Sequence, residues 1–250
     1  MDDREVLRDR ADVPVASSSR PQEPSSVVVA GATQRKNKDK KKRKGKKRPS
    51  QEVESIDDTS AESIASALWS SYSTFAEAGG EAKLQGDFLD QGAVQVLGTS
   101  EAGLARRVCM SFPEWRKEMS RTSANGSPMW IIVCSSADRC IAVLKELSDI
   151  RKFAKFGKLF SRHMKVPEQV SFLERSIVNV VVGTPARILK LCDLGNLKLG
   201  KAKVLFFDKT ADMKNRSLLT MKDVQKDLWT FYEKHVQGLV AKGQVKVCVL

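Results

Sequence analysis

The stretch from Ile177 to Asp208 constrains the fold of this chain more than any other part of its sequence. It opens with a β-branched apolar run, Ile177 to Val182, which is too short to cross a membrane and is typical of a strand buried on both faces of a parallel sheet. Gly183 permits a sharp turn of the backbone, and the hydroxyl of Thr184 can cap a helix. Pro185 suits the first helical position, where a missing N–H costs nothing. A helix is therefore predicted to begin at Pro185.

This helix should bury one face and lead into a second strand. Ile188 and Leu191 lie on one face of it at helical spacing, and Gly195 can end it. A second apolar run, Val204 to Phe207, then closes on Asp208. The whole stretch predicts a β-turn-α-β unit.

Strands and helices alternate along the chain from residue 57 onward. Three further apolar runs predict strands, which makes five in all: Met129 to Cys134, Phe156 to Phe160 and Val245 to Leu250. Asp58 or Thr59 can cap a first helix, whereas residues 86–107 show no clear pattern. Because short connections favour right-handed crossovers between parallel strands, we predict an α/β fold with a mostly parallel sheet covered by helices on both faces.

The net charge of +13 is concentrated in one short region. Residues Arg35 to Arg48 contain eleven Lys or Arg against one acid, Asp39, and so contribute +10, which leaves +3 for the remainder of the chain. A basic tail on a nearly balanced domain indicates nuclear import, or contact of the tail with a polyanion. We therefore divide the chain into a disordered tail, residues 1–56, and a folded domain, residues 57–250.

The most basic part of the tail, Lys38 to Arg48, is typical of runs that importins bind and that also bind RNA phosphates. The nuclear-targeting residues are predicted to be eight cations: Lys40, Lys41, Lys42, Arg43, Lys44, Lys46, Lys47 and Arg48. The alternative is a tail that serves only solubility.

The cysteines indicate a reducing compartment and predict no metal site. None of the five forms a C-x-x-C pair, and His163 and His235 do not lie at ligand spacing from them. Four of the five lie in or beside apolar runs, as a reduced thiol does in a core. We predict a cytosolic or nuclear protein with no metal and no cofactor, and we find no run long enough to cross a membrane.

The order of strand, G-T-P-x-R turn, helix, strand and acid resembles the middle of the first RecA-like domain of DEAD-box RNA helicases. In that family the Thr and the Arg of the turn hold RNA backbone phosphates, a role that the resemblance carries to Thr184 and Arg187. The chemistry suits it, because a helix N-terminus attracts anions and a guanidinium can bind a phosphate through two hydrogen bonds. The alternative is that Thr184 only caps the helix and that Arg187 is a solvated charge. We expect Arg187 to be exposed in either case.

Three segments together are similar to the Cms family of helicase-like proteins associated with the small-subunit pre-ribosome. They are KLFSRHMK (Lys158 to Lys165), VGTPARILKL (Val182 to Leu191) and FDKTADMKNR (Phe207 to Arg216). The resemblance implies a single degenerate RecA-like (P-loop-helicase-like) domain. On this hypothesis Arg162 and Lys165 also contact RNA, and Arg139 stands in for the arginine of the helicase P-T-R-E-L-A element.

Two absences argue against an enzyme. The chain has no G-x-x-x-x-G-K-[ST] run, and the nearest spacing, Gly98 to Gly103, is followed by Leu104 and Ala105, which can neither reach phosphates nor bind magnesium. We interpret these glycines as part of an ordinary loop. Asp208 is followed by Lys209, whose charge opposes metal binding where an active helicase has a glutamate. We therefore predict no enzymatic activity.

Two functions are consistent with these observations. The first is a non-catalytic, RNA-associated scaffold of the small-subunit (90S) pre-ribosome in the nucleus and nucleolus, with pre-ribosomal RNA, assembly factors and importin as partners. The second is a protein-only nuclear adaptor that docks on an assembly factor without direct RNA contact. Binding of purified protein to structured RNA at several salt concentrations separates the two.

Overall fold

Six parallel strands form one sheet in the computed structural model, which describes residues 60–79, 83–84, 89–98, 101, 103–121, 124–162 and 164–250. The strands are β1 (Val94–Gln95), β2 (Trp130–Val133), β3 (Phe156–Leu159), β4 (Val180–Gly183), β5 (Val204–Phe207) and β6 (Lys246–Val249). Their spatial order is β1-β6-β5-β2-β4-β3, and every neighbouring pair is parallel. Because alternate side chains of the central strands point to opposite faces and most are apolar, both faces of the sheet need a cover.

Eight α-helices among the described residues cover the two faces. One face carries α2 (Leu104–Ser111), α3 (Trp115–Ser120) and α4 (Ala137–Glu146). The other carries α1 (Ala61–Glu77), α5 (Val166–Arg175), α6 (Pro185–Asp193), α7 (Lys222–Phe231) and α8 (Gln237–Ala241), with a π-helical segment, Tyr232–Val236, between α7 and α8. The sheet therefore separates two apolar cores, and the predicted α/β fold with helices on both faces is confirmed.

The five predicted strands are all present, but the sheet has a sixth. The additional strand is β1, which lies in the unclear segment 86–107 and pairs only with β6 at the edge of the sheet. Two residues are too few to produce a recognisable period in the sequence, which explains why β1 was missed. The strand predicted from Ile177 begins later, at Val180, and Ile177 itself is 40% exposed.

Two of the predicted helix caps need correction. The first helix is capped by Ser60, whose hydroxyl accepts a hydrogen bond from Ser63 N at 3.1 Å, and not by Asp58 or Thr59, which lie outside the described residues. Thr184 does hold the N-cap position of α6, but its hydroxyl makes no capping hydrogen bond.

The predicted tail, residues 1–56, and its eight nuclear-targeting cations lie outside the described residues. Within the described part of the chain, no helix combines the length and the apolar character that crossing a membrane requires.

Candidate functional site

The predicted RNA-binding residues lie beyond the carboxyl ends of the strands, on the side of the sheet that we call the carboxyl edge. Arg139 lies in the first turn of α4 after β2, Arg162 and Lys165 lie between β3 and α5, and Thr184 and Arg187 open α6 after β4. Because β2, β4 and β3 are adjacent and parallel, their carboxyl ends lie side by side. The topology therefore gathers five residues that are spread over 49 positions, from 139 to 187, of the sequence.

The topological switch point of this edge lies between β5 and β2. The chain leaves β2 for β3 through α4 on one face, and it leaves β5 for β6 through α7 on the other face. In open α/β sheets, ligands bind in the crevice outside the carboxyl ends of the strands at such a point. Arg139 follows β2 and Asp208 follows β5, so this crevice is where the two side chains meet.

An ion pair between Arg139 and Asp208 spans the crevice. Nε and Nη2 of Arg139 donate to Oδ2 and Oδ1 of Asp208, each at 2.9 Å, and Nη2 also donates to the Thr210 hydroxyl at 3.0 Å. The Asp208 side chain is 1% exposed and that of Arg139 is 23% exposed. The hydrogen bond to Asp208 raises the pKa of Arg139 above its ordinary value. Both carboxylate oxygens of the acid that follows β5 are thus engaged by a guanidinium.

A cleft of about 230 Å³ lies beside this pair. Its lining combines the guanidiniums of Arg107 and Arg139 with the carboxylates of Glu101, Glu146 and Asp208. With three carboxylates and two guanidiniums, and with Asp208 already bound to Arg139, the cleft has little positive charge to offer a triphosphate.

The glycines from Gly98 to Gly103 lie between β1 and α2. Gly103 adopts a positive φ of 82° at the N-cap position, and α2 begins directly after it at Leu104. The loop interpretation of Gly103 holds, but α2 itself was missed. Helix α2 is only eight residues long and has no side-chain cap, so its start is not marked in the sequence.

Arg187 is half-buried, and the expectation that it is exposed was wrong. Its Nη1 donates to the Met164 carbonyl at 3.0 Å and to Oε1 of Gln169 at 2.7 Å. Gln169 is fully buried and donates in turn to the carbonyls of Lys158 and Phe160 at 2.8 and 3.1 Å. Arg187 therefore fastens α6 to α5 and to the end of β3, a role that only the tertiary contacts reveal.

The other two cations of the edge differ in how far they are engaged. Arg162 pairs with Asp138 in the first turn of α4, and both side chains are largely exposed. Lys165 is exposed at the N-cap position of α5, where its backbone N–H donates to Glu168 Oε2 at 3.1 Å. No carboxylate pairs with the Lys165 ammonium among the residues that the structure describes, so it is the cation of this set most accessible to an anion.

The start of α6 adds the positive end of a helix to the same edge. Its first turn contains no acid, and the Thr184 hydroxyl does not cap it. Thr184 is half-buried, and its N–H donates to the Leu159 carbonyl at 3.1 Å. The dipole of a helix without an acid in its first turn favours anions, although Pro185 has no N–H to donate and the Arg187 N–H already donates to the Thr184 carbonyl at 3.1 Å.

Comparison with known proteins identifies the family. The family model CMS1, described as "U3-containing 90S pre-ribosomal complex subunit", matches residues 107–250, which is more than half of the chain. The chain belongs to the CMS1 family. The match includes every residue of the carboxyl edge and most of α2, whereas α1 and β1 precede it.

Individual members of the CMS1 family show the same likeness. Protein CMSS1 of Homo sapiens is 34% identical over 136 residues, which cover 54% of this chain and 49% of the human protein. Protein CMSS1 of Danio rerio is 32% identical over 143 residues (57% and 48%), and protein cms1 of Schizosaccharomyces pombe is 28% identical over 148 residues (55% and 52%). The aligned part of the chain spans about half the length of the curated relatives that it matches.

In this CMS1-family chain, sequence reasoning missed the ion pair between Arg139 and Asp208. The two signals were present, since an arginine stands in the first turn of the helix after one strand and an acid ends another. The sequence does not reveal that β2 and β5 are neighbours in the sheet, because 70 residues, 134–203, lie between the two strands. The pair follows only from the strand order.

Proposed function

We propose that this chain is a non-catalytic, RNA-associated scaffold of the small-subunit (90S) pre-ribosome, acting in ribosome biogenesis in the nucleus and nucleolus. The observation that carries the proposal is the edge of the sheet where Lys165, Arg162 and the open start of α6 lie together in a CMS1-family chain. Backbone phosphates fit such an edge, because an accessible ammonium and a helix N-terminus both bind anions without reading bases. Pre-ribosomal RNA and small-subunit assembly factors are the partners that this function requires, with an importin for the basic tail.

The absence of catalysis in this proposal rests on the occupied crevice and on the sequence. An NTPase holds magnesium with a carboxylate at this kind of position and cradles the phosphates with a lysine-bearing loop. Here the guanidinium of Arg139 binds Asp208, and Leu104 stands where the loop lysine of an NTPase would be. The fold is retained while the chemistry is lost, as happens when one fold serves several functions.

A second candidate is a protein-only adaptor that docks on an assembly factor. The contacts of Arg187 favour this candidate, because its Nη1, which would be needed to hold a phosphate, already donates to the Met164 carbonyl and to Gln169 Oε1. On this alternative Arg187 serves only to join two helices, the folded domain makes no RNA contact, and any RNA binding by the purified chain comes from the basic tail.

RNA binding by single-residue variants of the full chain separates the two candidates. Lys165→Ala should weaken binding to structured RNA and reduce the slope of log K against log salt by about one, because one phosphate contact is lost. Lys190→Ala is the matched control, since Lys190 is an exposed lysine in the last turn of α6, away from the edge. The tail is present in all variants and contributes equally to each. Identical affinities and slopes for wild type, Lys165→Ala and Lys190→Ala would support the adaptor and contradict RNA contact at this edge.

A further inference from the structure

A second exposed feature lies on the opposite side of the sheet, where the strands begin. Trp115 and Arg116 open α3, and Phe153 precedes β3 by three positions. The rings of Trp115 and Phe153 meet edge to face, with centroids 5.8 Å apart, and Phe153 is 55% exposed. The Arg116 guanidinium lies 4.5 Å from the Phe153 ring centroid and 5.3 Å from that of Trp115. We refer to these three residues as the aromatic platform.

The aromatic platform is fixed to the core by two sets of contacts. Trp115 is buried and packs against Trp130, with ring centroids 6.4 Å apart. The buried side chain of Asn179 donates to the Met119 carbonyl at 2.9 Å and accepts from the Lys155 N–H at 2.8 Å. One amide therefore ties the end of α3 to the segment that follows Phe153. Because these side chains are already ordered in the folded protein, a ligand that binds there loses little further conformational entropy in the protein, which favours affinity.

The charge around the platform favours an anionic partner. The two segments that form it, residues 114–121 and 149–155, carry six Lys or Arg side chains and three carboxylates. Two of those carboxylates are bound by lysines three positions away in the chain. Across the described ranges no carboxylate pairs with Arg116 or Arg151, so these guanidiniums remain available to an anion.

We propose that the aromatic platform binds single-stranded RNA, with one unpaired base stacked on Phe153 and Arg116 and the neighbouring phosphates held by the surrounding cations. The Arg116 guanidinium lies over one face of the Phe153 ring, so a base stacks on the exposed outer surface of this ring–guanidinium pair. Aromatic and guanidinium surfaces accept any base, and with surrounding cations they hold single strands without reading their sequence. Carboxylates of an acidic peptide would satisfy the charges but would leave the flat surfaces unused. The platform lies at the opposite side of the sheet from Lys165, so it adds a contact to base faces that the proposed phosphate-binding edge does not include.

The test measures the binding of the full chain to a labelled, unstructured oligoadenylate of about ten nucleotides, at a salt concentration of about 0.2 M that limits the contribution of the tail. Phe153→Ala should weaken binding at least about fivefold, the lower bound for the loss of one base–aromatic stack. Phe153→Trp should retain it, because the flat surface is kept. Met110→Ala is the matched control, since Met110 is 60% exposed on α2 and has no ring. Phe153 is exposed, so these changes leave the core intact.

Any of three outcomes overturns the proposal. The first is equal binding of the oligoadenylate by Phe153→Ala and wild type. The second is that Phe153→Ala weakens binding to a perfect duplex of the same length as strongly as binding to the single strand. The third is that a 4-thiouridine oligonucleotide fails to photocrosslink to the peptide that contains Phe153. Lys165→Ala, measured beside these variants, keeps the two sites distinct. Loss of binding with Phe153→Ala alone supports the platform while contradicting the phosphate-binding edge, and loss with Lys165→Ala alone does the reverse.

Discussion

Replacing Arg139 with methionine should destabilise the fold more than any other single change at the carboxyl edge. The substitution removes both charged hydrogen bonds from Asp208, whose side chain is 1% exposed, and retains the hydrogen bond from the Thr210 N–H at 3.3 Å. Breaking a buried pair by removing one partner costs about 3–5 kcal/mol, because the remaining charge stays buried without compensation. We take the lower end, about 3 kcal/mol, since part of Arg139 reaches solvent and the Thr210 N–H remains.

The two partners of the pair should respond unequally. Asp208→Asn leaves Arg139 with 23% of its side chain in solvent and with Glu146 at 3.9 Å, so its cost should be only about 1–2 kcal/mol. The double variant Arg139→Met with Asp208→Leu removes both charges and should recover to within about 1 kcal/mol of wild type, as replacement of buried ion pairs by apolar side chains does elsewhere.

Urea unfolding of the full chain, followed by far-ultraviolet circular dichroism, measures these differences at constant slope m. For a folded region of this size, a loss of 3 kcal/mol corresponds to a fall in Tm of about 6–12 °C. Arg139→Lys is the control that keeps the charge but loses the two-pronged geometry, and it should fall between wild type and Arg139→Met. The reasoning is refuted if Arg139→Met costs less than about 1 kcal/mol, or if the double variant is as unstable as the sum of the single variants.

Three further outcomes follow from other parts of the molecule. Purified protein should show no magnesium-dependent ATP turnover above a denatured control and no saturable binding of a fluorescent ATP analogue; micromolar binding that ATP competes away would contradict the non-catalytic proposal. Gly183→Ala should lower the urea midpoint by an amount equivalent to about 1–3 kcal/mol or more, because the added Cβ would lie 2.4 Å from the Leu159 carbonyl oxygen. The control Gly200→Ala should not lower it, because no atom lies within 4 Å of the added Cβ. Hydrogen bonds from Arg216 lower the pKa of Asp212 from 3.8 to about 2. The hydrogen bonds that the Asp212 carboxylate accepts should therefore be fully present above about pH 4 and be lost as the pH falls through about 2. NMR shifts of the Arg216 amide that follow an ordinary carboxylate titration near 3.8 would refute this.

The parts of this fold that the sequence predicted correctly are those whose signals are local. The run before Gly183 and the proline at the start of α6 combine an apolar pattern with a specific turn residue. The run forms β4, although from Val180 and not from Ile177, and α6 begins at Pro185 as expected. The strand β1 was missed because two residues cannot show a period, and the helix α2 was missed because it is only eight residues long and follows a glycine, which provides no capping side chain to mark its start.

The candidate site was predictable in position but not in contacts. Parallel strands place their carboxyl ends at one edge, so the G-T-P-x-R turn and the cations near Lys165 could be assigned to that edge from the sequence pattern. The partners of Arg187 and Arg139 could not, since one depends on the packing of α5 against α6 and the other on the adjacency of β2 and β5. Whether a guanidinium faces solvent or a buried acceptor is decided by such tertiary neighbours, which leave no mark on the local sequence.

The strand order also determines how long β2 stays unpaired while the chain is being synthesised. Strand β2, whose four residues are all buried, pairs on one side with β4 and on the other with β5, and both follow it in the sequence. Its second edge stays unpaired until Phe207 has been made, 74 positions after Val133, which at about 5–20 residues per second is an interval of about 4–15 s. An apolar strand with open edges is a template for aggregation during that time. Covering the region around Trp130 during this interval would protect the newly made chain from aggregation until the centre of the sheet closes.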